Sequence, residues 1–269
     1  MFHDVLLAGR VWNIPWLFGL ICVAALYIFS IKRYTKVKLK HRQPLLFFFC
    51  LSLIYVTMGS PLAAISHFSF SLHMIQMSIL YFIIPPIFLL GIPEPLFQQL
   101  GKIPIIKKVR TFIYSPVISL SIFAVLFLLY HLPFVLKILS HYPVGHIIYD
   151  ISLFILAFHM WWPVAAPGVK HRFTYRKRKR YVFLSGLILM PACLLFIVNA
   201  FMDGMNNPFL TELTAELCLP ATSDSIDLLP FPFNTKYDQI MAGVFMMALH
   251  KFGLMLTMKL GTKISGSTV

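Results

Sequence analysis

Fifty-one consecutive residues, Gln43 to Pro93, contain no Asp, Glu, Lys or Arg. A membrane-spanning helix needs about 20 apolar residues, so this run has room for two. Four more charge-free stretches follow the same rule, at 11–31, 111–136, 151–169 and 181–202. One soluble core cannot hide that many uncharged runs. Charged residues make up 12% of the chain, against about 25% in ordinary soluble domains. The mean hydropathy of +0.81 points the same way. The chain therefore reads as an all-α, polytopic membrane helix bundle. The pattern fits a β-barrel poorly, because barrel strands alternate apolar and polar residues over about 10 positions.

Seven spans are predicted, at roughly 12–31, 44–62, 70–90, 114–135, 147–166, 182–202 and 238–258. The long charge-free run divides at Gly59-Ser60-Pro61, a turn signal. Pro85-Pro86 is expected to kink or end the third span. The first span has no basic leader and no small-residue cleavage site, so it reads as a retained helix. The whole of 1–269 reads as a single transmembrane domain.

Lysine and arginine set the orientation. Loop 32–42 holds six of them, loop 91–110 four, loop 167–180 seven and the tail after 258 two. Only Arg10, Lys137 and Lys236 fall on the other side. Basic loops stay in the cytoplasm, which places the N-terminus outside and the C-terminus inside. Eight of the nine acidic residues then lie outside, with Glu94 the exception. Lys251 lies within the seventh span, and its long stem can carry the ammonium to the interface. The formal net charge of +14 thus marks topology rather than nucleic-acid binding. The acidic, proline-bearing loop 203–237 is the one sizeable loop, and it suits a lid or a partner surface.

Cysteine directs nothing: Cys22, Cys50 and Cys193 lie in spans, Cys218 lies in the outer loop, and there is no C-x-x-C. The histidines are more informative. His41 and His171 sit among basic loop residues. His3, His67, His73, His131, His141 and His146 map to the outer side. His73 and Met77 stand one helical turn apart near the start of span three. His131 closes span four. His146 and Asp150 share a face at the start of span five. Asp238 opens span seven, and Met202 and Met205 close span six. Ionisable groups in spans turn toward the bundle interior. Imidazole with thioether is a donor set that suits copper, with thioether favouring Cu(I). A copper-handling site of His73, Met77, His131 and His146 follows, with Asp150 or Asp238 beside it. The same histidines also read as interfacial residues bonded to their neighbours, and the methionines as gap-fillers. His159 and His250, at similar depth, are an alternative pair of axial haem ligands. Trp12, Trp16, Trp161 and Trp162 read as interfacial belt residues. No span shows the charged midplane break of many transporters.

The order of four segments resembles the CtaG-type cytochrome c oxidase assembly factors, multi-spanning bacterial membrane proteins. "HMIQMSILYFIIPPIFLLGIP" is similar to the family's His-Met-x-x-His segment followed by Pro-Pro, Leu-Gly and Pro. "LYHLPFVL" is similar to its His-x-Pro segment, and "HIIYDISLFILAFHMWWPV" to its paired-His helix ending in Trp-Trp-Pro. "YDQIMAGVFMM" is similar to its Asp-Gln-x-x-Ala-Gly helix, which places Asp238, Gln239 and Gly243. The likeness runs over most of 44–258. Met77 and Asp150 stand where the family often has further histidines. The resemblance implies assembly of a haem–copper cytochrome c oxidase in the bacterial plasma membrane, with copper delivery and no catalysis. The implied partners are oxidase subunits or a copper chaperone, within the lipid bilayer. A metal-free scaffold for oxidase subunits is the other reading.

Overall fold

Residues 12–66, 69–100, 102, 115–167, 172–202 and 236–265 are described in the structure, a computed structural model. Within them the chain forms ten helices and no strand. These are α1 (Ile14–Tyr34), α2 (Arg42–Met58), α3 (Pro61–Ser66), α4 (70–91), α5 (Glu94–Leu100), α6 (Pro116–Tyr130), α7 (Pro133–His141), α8 (Pro143–Ala165), α9 (Tyr175–Met202) and α10 (Lys236–Ser265). His3, His67, His171, Met205 and all but the last two residues of loop 203–237 lie outside the described residues.

Helices α1, α4, α8, α9 and α10 are long and apolar enough to cross a membrane. Two shorter apolar helices, α2 with 17 residues and α6 with 15, occupy the other two expected positions. The predicted span 114–135 stops short, because Pro133 cannot donate to the turn before it. Helix α6 ends at Tyr130 with His131 as its C-cap, and Pro133 opens α7 as its first residue.

Helix α4 is the axis of the bundle. Buried positions make up 78% of its most apolar window, against 11% for the peripheral α1. It runs on through Pro85-Pro86 instead of ending there. Residues Ile79–Ile83 form a π turn just upstream, in which Ile84 N–H bonds to Ile79 O. The two prolines lack the N–H groups that Tyr81 and Phe82 carbonyls would otherwise receive. Neighbouring helices pack against both carbonyls, and Tyr81 O receives a hydrogen bond from one of them. Trp161 of α8 donates its indole N–H to Tyr81 O at 2.9 Å. Gly253 of α10 packs directly against Phe82 O. Such repair by neighbouring helices is what lets proline sit inside a spanning helix. Trp161 is thus a core residue, 1% exposed, and not the interfacial belt residue its sequence context suggests. Trp161→Phe keeps the ring but orphans the carbonyl, so thermal unfolding in detergent should show a loss of about 1–3 kcal/mol. An unchanged melting temperature would remove this account of the π turn.

One end of the bundle gathers the basic loops. Arg42 donates to Lys263 O at 3.1 Å, and Arg172 to Ala166 O at 2.8 Å and Gly261 O at 3.3 Å. Tyr27 OH donates to Gly91 O at 2.6 Å at the same end. The opposite end holds the Gly59-Ser60-Pro61 turn, where Ser60 Oγ accepts from Leu62 N–H at 3.1 Å. Aromatic rings fill the interior between α4 and α6: Tyr81 and Phe82 lie edge-on to Phe123 and Phe127 at centroid distances of 5.6–6.2 Å. Helices in lipid gain little from hydrophobicity when they pair, so such ring packing and close approach carry the association.

Candidate functional site

The N-terminus of α4 sets the site. Its first backbone N–H groups have no partner within the helix. Ser69 is the N-cap, and its hydroxyl accepts from Leu72 N–H at 3.5 Å. Asp238, fully buried at the start of α10, supplies the rest. Its carboxylate accepts from Phe70 N–H at 2.9 Å, from Ser71 N–H at 3.2 Å and from Ser69 Oγ at 3.0 and 3.1 Å. A carboxylate also complements the positive end of the helix dipole. Asp238 is therefore a long-range cap that ties α10 to α4, with its oxygens occupied by donors.

His73 and Met77 follow on one face of α4, 5% and 6% exposed. His131 is fully buried at the end of α6. Its Nδ1 bonds to Phe127 O. A carbonyl only accepts, so Nδ1 carries the proton, and in the neutral ring the lone pair then lies on Nε2. That Nε2 has no hydrogen-bond partner among the described residues. Phe196 of α9 touches both sides of this layer, with its ring 5.1 Å from His131 and 4.9 Å from Phe70.

His146 stands further out on α8, about one-third exposed. Its Nε2 is 3.2 Å from Tyr130 OH and 3.7 Å from Asp150 Oδ2. Tyr130 stacks on Tyr149, whose hydroxyl donates to Leu126 O at 2.7 Å. The structure thus joins His131 and His146 through Tyr130, which contacts both rings. Two groups that residue type alone did not single out also belong here. Tyr81 OH is buried, and so are both amide atoms of Gln239, without described hydrogen-bond partners. Unpaired buried polar atoms are uncommon and each asks for a reason. The sequence signal for Tyr81 is a polar tip inside an apolar helix, while Gln239 falls within the Asp-Gln-x-x-Ala-Gly-like segment.

The other histidines are placed differently. His250 of α10 is 4% exposed and packs edge-on to Phe82 and Trp161, at 4.9 and 6.3 Å. His159 is half-buried on α8. His141 bonds through Nδ1 to Lys137 O on exposed α7.

These donors can be tested against copper. Among the described residues, no three His, Cys, Asp or Glu side chains gather as a metal-holding group. Asp238 is engaged as a cap and His146 with Tyr130. A closed, resident centre does not fit that set. A fixed tautomer with a carbonyl behind it is, however, how a protein orients a ligating imidazole, and His131 has that arrangement.

The family model described as cytochrome c oxidase caa3 assembly factor matches residues 15–260. No curated protein and no solved structure matches the chain.

Proposed function

The chain belongs to the cytochrome c oxidase caa3 assembly factor family, and from that premise we propose that it serves oxidase assembly by handling Cu(I) as cargo at the outer face of the bacterial plasma membrane. All seven apolar helices cross in this reading, with the N-terminus outside and the basic end in the cytoplasm. The role is non-catalytic. Copper is held transiently by His73, Met77 and His131, with His146 at the mouth of the layer. Asp238 acts on this site by fixing the start of α4, one turn from His73. The acidic loop 203–237 faces an oxidase subunit or a copper chaperone.

The observation that carries the reading is His131: buried, its tautomer fixed by Phe127, its Nε2 lone pair without a described partner. Thioether and imidazole donors suit a soft monovalent ion. Removing a ligand should cost at least the roughly 10–100-fold in metal affinity that loss of an outer-shell partner costs. The test is a His73→Ala, His131→Ala double variant, shown to be expressed and inserted. Oxidase activity and copper content of the membranes should both fall. Normal oxidase assembly with unchanged copper would sink the reading. The engagement of Asp238 and His146 in internal bonds favours a second one, a metal-free scaffold for oxidase subunits. That reading expects full function in every His and Met variant that folds.

A further inference from the structure

Helices α9 and α10 run antiparallel, since Cys193 meets Gly243 near one end and Arg172, just before α9, meets Gly261 near the other. Between them lies a groove of about 720 Å³. Its body is mainly apolar, with walls that include exposed Phe183, Leu187, Met190 and Met255, and Lys251 enters part-way along, level with Ser185, where its long stem can lie along the apolar wall. Its cationic lining is Lys179, Lys251 and Lys259. Fourteen residues on from the Cys193–Gly243 contact, Lys179 comes level with Thr257, two positions from Lys259. Lys179 and Lys259 therefore both line the groove toward the basic end. The groove extends from there along roughly 20 Å of helix at 1.5 Å per residue. One leaflet of hydrocarbon is about 15 Å deep, half of a 30 Å core.

No acidic residue lies on α9, and α10 has none after Asp238. None of the three lysines has an ion-pair partner among the described residues. An apolar trough one leaflet deep, with an uncompensated cationic mouth, matches one kind of molecule. We propose that this groove is a binding site for an anionic phospholipid of the leaflet at the basic end, with an acyl chain against Gly186 and Met190 and the phosphate between Lys179 and Lys259. The site goes beyond the assembly role, and its other end of the bundle holds the His131 layer.

Gly186 makes the site testable independently of charge. A Cβ there meets nothing within 4 Å, so Gly186→Leu fills the groove without a clash and improves helix propensity. Full-length protein in neutral detergent is titrated with phosphatidylglycerol or with phosphatidylcholine of the same chains, reading melting temperature and retained lipid by native mass spectrometry. Phosphatidylglycerol should raise the melting temperature and be retained, and phosphatidylcholine should do neither. Lys179→Gln with Lys259→Gln should weaken phosphatidylglycerol binding about 30-fold while leaving the lipid-free melting temperature unchanged. Gly186→Leu should abolish the shift, and Lys263→Gln, outside the groove, should keep it. Equal shifts from both lipids would overturn the proposal, as would an undiminished phosphatidylglycerol shift in the lysine pair and in Gly186→Leu. A membrane polypeptide or second copy that leaves the wild type on Gly186→Leu, with no lipid effect, would assign the groove to a protein helix instead.

Discussion

Asp238→Ala should be the most damaging single substitution in the outer layer, lowering stability in detergent by about 3 kcal/mol or more. It removes the acceptor for two backbone N–H groups and a hydroxyl in a fully buried setting. Each donor left unpaired costs about 1–3 kcal/mol. Helix α4 is the axis against which the other helices pack, so fraying of its start reaches His73 within one turn. Asp238→Asn keeps one acceptor oxygen and should lie between the two. Thermal unfolding of purified protein reads this directly. If Asp238→Ala instead melts like the wild type and loses only copper, the carboxylate is a ligand and not a cap.

Gly253→Val should destabilise by about 2–3 kcal/mol, the upper range for forcing volume into packed structure. Even the first added carbon runs into the carbonyl oxygen of Phe82, a backbone atom inside the π turn that has no side-chain freedom to yield. Gly243→Ala meets Cys193 O at 2.6 Å and should follow the same trend. Gly186, on the open groove, is the matched control, since a side chain there enters empty space. Melting temperatures of the three variants separate close helix contact from the general effect of replacing a helical glycine. Equal melting temperatures for Gly253→Ala and Gly186→Ala would remove close approach as the reason for Gly253.

The five helices long enough to span, and the two shorter apolar ones, are visible in the sequence because each is a local property. Lipid offers no hydrogen bonds, so an uncharged run of spanning length has little choice but helix. The loop charges gave the alternation of ends, and Arg42 and Arg172 reaching the last turns of α10 agree with it. The motifs carried the family, which the match over 15–260 shows. Trp161 departs from its sequence expectation for an instructive reason. Its partner is a carbonyl freed by Pro85, four residues beyond Tyr81 on another helix, and no local pattern around "HMWWP" points to it.

Asp238 shows the same limit within the site. Residue type made it a candidate donor, yet its role depends on Ser69, 169 residues away in the chain. The sequence alone established an all-helical membrane bundle and where its long apolar helices lie, while the break at Tyr130 and the short helices α3, α5 and α7 came only with the structure. Tertiary structure decided which helix is the axis, how a double proline is accommodated and whether a buried carboxylate holds a helix or an ion. The division has one cause. Hydropathy and charge act on each segment against its solvent, whereas helices already in lipid have no shared hydrophobic drive to select their neighbours. That choice falls to single close approaches and hydrogen bonds between residues far apart in the chain, such as Gly253 on Phe82 and Asp238 on Ser69.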